Sequence, residues 1–135
     1  MDTALVSYLG DLRTEALHPR SGERIVTDAP VDNRGKGAAF SPTDLLCTAL
    51  ATCMMTTMGI SAQGHGIPIA SMQARVVKHM ASDPRRVQHV EVELTIHVEG
   101  LTDRWRTLLE HSARTCPVAL SLSSDLVQDI SIRFV

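Results

Sequence analysis

The sequence predicts an α+β fold, and three observations carry that prediction. Strand-like and helix-like tracts follow one another without a regular βα alternation. The tract from Leu45 to Gln63 runs nineteen residues without a charge, directly after a helix-start signal. Further on, Val90, Val92, Leu94, Ile96 and Val98 alternate with Glu91, Glu93, Thr95 and His97, the period of a half-exposed strand.

Taken in order, residues 4–9 and 23–28 read as short strands, joined through Leu12 to Leu17 and a turn at Pro19-Arg20-Ser21-Gly22. They predict a small N-terminal sheet. Asp32 to Gly37 has no periodicity and holds two glycines, so it is a loop. The next element starts cleanly: Ser41 can cap, Pro42 fits a first helical turn, and Asp44 stands where a capping box places its acid. The charge-free run behind it has the length of a membrane span. Four threonines, Ser61, Gln63 and the following Gly64-His65-Gly66 argue instead for a helix buried on several sides.

Residues 69–80 and 87–98 flank Ser82-Asp83-Pro84-Arg85 and predict a long hairpin. Leu101, Trp105, Leu108, Leu109 and Ser112 have helical spacing, which places a second helix over 102–114 with Thr102 as its cap. Cys116-Pro117 opens a short helical stretch to Leu122, and a final strand runs from Ile130 to Val135. No internal repeat and no dividing linker interrupts the chain, so a single domain over 1–135 is expected. So small a domain has little with which to cover a charge-free helix, which points to an intertwined homodimer.

With 135 residues, 44% of them apolar and 21% charged, the chain has the balance of an ordinary globular protein. Its net charge is −2 and its basic residues are scattered, so the footprint of a nucleic-acid binder is missing. Met1-Asp2-Thr3-Ala4 lacks the basic and apolar regions of a secretory signal, and a cytoplasmic location is expected. Cysteines at 47, 53 and 116 are odd in number and form no CxxC, so they read as thiols rather than a disulfide framework.

Each thiol has a plain reading. Cys53, about three turns into the helix among Ala49, Leu50, Met54 and Thr57, reads as a small core hydrophobe. Cys116 precedes a proline that favours a helical first turn, so nearby amides and the helix dipole would favour its thiolate. Cys47, six positions before Cys53, faces elsewhere on the helix and reads as packing.

Ser41-Pro42-Thr43-Asp44-Leu45-Leu46, with Cys53 eleven residues after the proline and Cys116-Pro117 further on, resembles the two signatures of the OsmC/Ohr superfamily. These are the osmotically inducible and organic hydroperoxide resistance proteins, and the resemblance covers nearly the whole chain. It implies an OsmC-like fold, a homodimer with two sites near the subunit interface, thiol-dependent peroxide reduction in oxidative stress defence, and no metal or organic cofactor. Mapped residue by residue, Cys53 resembles the peroxidatic cysteine and Cys116 the resolving one. A thiol in apolar surroundings needs an added positive charge to ionise, and the family supplies an arginine from its first strands. Arg13 matches that position within about one residue, with Arg34 in reserve. The sequence departs from the hydroperoxide reductases in one place: the acid that follows the motif proline is Thr43 here, and Asp44 either replaces it or serves only as the capping-box acid. That departure favours a less specialised branch of the superfamily.

The implied cycle has the Cys53 thiolate attack the peroxide, release an alcohol and become a sulfenic acid, which Cys116 converts to a disulfide. An external dithiol, lipoyl-type or a small thiol, would reset it. Two other readings stay open: a stress-associated binding domain with little turnover, and a thiol enzyme acting on another electrophile. Met54, Met55 and Met58 read as core filling or as an adaptable wall for an apolar peroxide. Among six histidines, His79 and His89 face each other across the predicted hairpin, but none has the spacing of a helical metal site, and they read as surface residues. Neither Ser61 nor Ser123-Ser124 has a base at a recognisable spacing, so a serine hydrolase is not indicated.

Overall fold

The computed structural model describes residues Met1–Val135, which fold as two compact units, Met1–Leu46 and Cys47–Val135. The first unit is a three-stranded antiparallel sheet, β1 (Leu5–Gly10), β2 (Arg13–Leu17) and β3 (Arg24–Asp28), in that spatial order. Most of the expected connection over 12–17 is the central strand, from Arg13 to Leu17. Only Thr14 in β2 has strong strand propensity, so pairing on both edges makes this strand rather than its composition. The β1–β2 turn places Gly10, Asp11 and Leu12 all at positive φ. Leu12 bears the cost of that conformation, and two hydrogen bonds hold it: its amide donates to the Tyr8 hydroxyl and its carbonyl accepts from Ala29.

After β3 the chain makes a 3-10 turn at Val31–Asn33 and folds back tightly. A Cβ on Gly35 would fall 1.6 Å from the Ala29 carbonyl oxygen, so no side chain fits there. The buried Asp28 carboxylate accepts from the Ala38 amide at 2.9 Å and fixes the return to Ser41.

Helix α1 spans Pro42–His65. Its start is the predicted capping box: Ser41 Oγ accepts from the Asp44 amide at 3.1 Å, and Asp44 Oδ2 accepts from the Ser41 amide at 2.9 Å. By length and composition the helix could cross a membrane. Its threonine hydroxyls turn inward on the helix, Thr52 donating to Ala49 O and Thr56 to Thr52 O. Burial on several sides was expected, but within the chain α1 buries one stripe: Cys47, Leu50, Ala51, Met54, Met58 and Ala62. Ile60, off that stripe, is exposed.

That stripe belongs to the core of the second unit, whose sheet has the order β4 (Ile69–Ala81), β5 (Arg86–Val98) and β6 (Val127–Phe134). β4 pairs antiparallel with β5, and β6 lies parallel to it on the other edge. A parallel partner requires a crossover, here supplied by α2 (Asp103–Arg114) and α3 (Pro117–Ser121). Thr102 caps α2 as expected, accepting from the Trp105 amide at 3.1 Å. β6 begins three residues before the expected Ile130. Polar Gln128 takes the inward place there, donating to Ala119 O, ahead of Ile130, Ile132 and Phe134, and so masks the apolar alternation.

Candidate thiol site

Cys53 lies half-buried on α1, while Cys116 is fully buried at the N-cap of α3. The Cys116 sulfur accepts a hydrogen bond from the Ala119 amide at 3.4 Å, as a sulfur-capped helix start should. The thiolate-favouring setting expected from Pro117 is therefore present in its geometry but does not prevail. Burial pushes the Cys116 thiol above its ordinary value, and the neighbouring Cys53 pushes the same way. The amides of Ala119 and Val118 pull it down less strongly, since a five-residue helix offers only a short dipole. Cys53 packs against the core in which Cys116 is buried, near enough to raise the Cys116 thiol further, and both are free thiols. One accessible thiol backed by one buried, protonated thiol is an arrangement suited to forming a disulfide after Cys53 is oxidised.

A polar clasp holds the two cysteine-bearing segments in place. Thr57, one turn beyond Cys53, has its hydroxyl 3.1 Å from the Ser112 carbonyl of α2 as well as near the Cys53 and Met54 carbonyls. Ser61 and Ser112 meet through their hydroxyls at 2.6 Å. Four residues after Ser112 the chain reaches Cys116. The clasp leaves no signal in the sequence, because a threonine in a helix more often bonds only to its own helix's carbonyls.

Cys47 is buried in the core beside Leu50 and Ala51, as its place on the helix predicted. Met54 and Met58 are fully buried core residues, and Met55 is partly buried against them. A hollow of about 510 Å³ lies between His65 of α1 and residues of α2, and none of the three cysteines lines it.

In the first unit, Arg13 opens β2, paired across the sheet with Asp28, and is half-buried. Its Nε is buried and meets no hydrogen-bond acceptor, an uncompensated cost of the kind found where a group is kept for function. Arg34 is exposed in a left-handed loop position. Asp44 is engaged in the capping box, and Thr43 Oγ1 lies 3.2 Å from Ser41 Oγ. Asp28, a buried carboxylate beside Arg13 in the sheet, was not singled out from the sequence; its place in a strand ending gave no signal.

The chain is thus an α+β protein with one half-exposed and one fully buried free cysteine around a shared core. Residues 35–131 match the family model of the OsmC-like proteins, and the chain belongs to that family. A protein from Psychrobacter arcticus 273-4, provisionally described as an osmotic stress induced and detoxification response protein, is 50% identical over 98% of this chain and 96% of its own, with a TM-score of 0.92. An OsmC-like protein from Mycoplasma pneumoniae shares the fold at 18% identity and a TM-score of 0.81, covering 98% of this chain and 95% of its own. So does an organic hydroperoxide resistance protein OsmC from Legionella pneumophila, at 16% identity and a TM-score of 0.72, covering 98% of both chains. No curated protein matches.

Proposed function

We propose that this protein is a cysteine-based peroxidase that reduces organic hydroperoxides. The observation that carries the reading is half-exposed Cys53 packed against the core that encloses the buried thiol of Cys116. Attack of the Cys53 thiolate on the outer peroxide oxygen breaks the O–O bond, and the departing alkoxide takes a proton to become an alcohol. Cys53 is left as a sulfenic acid. The Cys116 sulfur then displaces water from it and closes the disulfide, and a dithiol of the lipoyl type or a small thiol returns both cysteines to thiols as it is itself oxidised. Cys116 suits the second step better than the first, because its buried thiol is held protonated until an electrophilic sulfur lies beside it. Names that refer to hydroperoxide resistance among the structural relatives agree with this chemistry. Arg13, whose buried Nε has no partner, is the arginine that the family resemblance matches, and its substitution tests a role in the reaction.

The test is consumption of cumene or tert-butyl hydroperoxide by the reduced protein in the presence of dihydrolipoamide. Steady turnover is expected, with a fall of about tenfold or more for Arg13→Ala and little change for Arg34→Ala. Absence of turnover with alkyl and lipid hydroperoxides alike would overturn the peroxidase reading in favour of a binding role.

A further inference from the structure

The inward row of β6 is Gln128, Ile130, Ile132 and Phe134, and its first member is polar where the others are apolar. An amide in such a row is costly unless it is hydrogen-bonded. Gln128 Nε2 donates to the Ala119 carbonyl at 2.9 Å. The amide of the same Ala119 donates to the Cys116 sulfur at 3.4 Å, and the next amide, that of Leu120, donates to the Cys116 carbonyl at 3.1 Å. The peptide joining Ala119 to Leu120 is therefore bonded at both ends, to Gln128 through its oxygen and to Cys116 through its N–H. Bonds linked in this way reinforce one another, because a polarised carbonyl makes its N–H a better donor. On the other side of Cys116, Arg114 donates to the Ile130 carbonyl at 3.3 Å. Side chain to backbone bonds thus tie both flanks of the cysteine to β6.

We propose that Gln128 is a positioning residue for Cys116, which under the peroxidase reading is the thiol that closes the disulfide: by holding Ala119 and Leu120 it keeps the Ala119 amide aimed at the sulfur. The five-residue α3 is too short to keep its shape by its own bonds. Ala119 O is among the last four carbonyls, which a helix leaves without an internal partner, and Gln128 supplies one. Disulfide closure needs the Cys116 S–H proton and the sulfenic hydroxyl of Cys53 to leave as water while the S–S bond forms. Burial holds that proton on, and Cys53 acts the same way; the Ala119 amide is the strongest pull in the other direction. Among the groups around the sulfur, Cys53 comes from α1, Arg114 of α2 is turned to β6, and β6 contributes the neutral Gln128.

Two variants test the assignment. Gln128→Met keeps the length of the side chain and removes the donor, and Gln128→Glu presents Ala119 O with an acceptor at neutral pH. Gln128 is only half-buried, so both should retain the wild-type circular dichroism. In reduced protein labelled with carbon-13 at the cysteine Cβ, the Cys116 signal should titrate at higher pH in both variants than in the wild type. Disulfide closure after one equivalent of cumene hydroperoxide should slow about two- to tenfold at neutral pH, the effect of losing one hydrogen bond. The first oxidation of Cys53 should keep its rate. Ser131→Ala, an outward position on the same strand, should change neither measurement. A Gln128 that serves only the fold would lower the urea midpoint and leave the Cys116 titration where it is, and that result overturns the proposal. Equal slowing of both oxidation steps would also overturn it. If the wild type consumes no hydroperoxide while the Cys116 titration still moves in both variants, the peroxidase reading falls and the hold of Gln128 on Cys116 stands.

Discussion

At the scale of single residues, the three cysteines separate by burial and neighbours. Cys53→Ser should abolish peroxide consumption, Cys116→Ser should permit one oxidation and leave a persistent sulfenic acid, and Cys47→Ser should keep activity while losing stability. Mass spectrometry after one equivalent of peroxide should find a Cys53–Cys116 bond in the wild type; a bond to Cys47 would reassign the resolving step. The raised Cys116 thiol also makes a stability prediction. The unfolded chain releases the proton of Cys116 at lower pH than the folded one, so its contribution is complete below the ordinary thiol range and is lost as pH rises through and beyond it. Urea midpoints of the wild type should therefore fall above about pH 8.5, and Cys116→Ser should reduce that slope. Both thiols were legible from spacing and resemblance. The balance at Cys116 was not, since an N-cap position is visible in a sequence and complete burial is not.

The elements with strong local signals are those the sequence showed most clearly. The capping box at Ser41 and Asp44, the Thr102 cap and the alternation in β5 depend on residues within a few positions of one another. β2 and the start of β6 depend on partners far along the chain, and their own residues carry little propensity. The Thr57–Ser112 clasp is likewise long-range, and it joins the helix of Cys53 to the helix that leads to Cys116. Thr57→Val should cost about 0.5–1.5 kcal/mol in urea unfolding. Within the proposed cycle it should slow disulfide closure more than the first oxidation, as followed by stopped-flow with a sulfenic-acid trap. Equal effects on both steps would reduce the clasp to a stability device.

For the whole molecule, the exposed apolar residues mark what a single chain leaves unfinished. Leu5, Val6, Tyr8, Leu9 and Ile25 of the first unit are each more than half exposed, as is Ile60 of α1. Apolar surface on this scale signals association, and a homodimer is the proposed assembly. Light scattering should give about twice the 14.7 kDa chain mass. A monomer at micromolar concentration would leave that surface without a function. The parallel pairing of β5 with β6 bears on how the chain is made. β5 supplies the middle of the core sheet, yet one of its edges has no partner until both helices of the crossover and then β6 have been synthesised. Cys116 precedes β6, so it leaves the ribosome before the sheet that helps to bury it is complete. For that interval the thiol is open to the cell's oxidants, and a chaperone that shields the bare β5 edge would protect the nascent chain's redox state together with its fold.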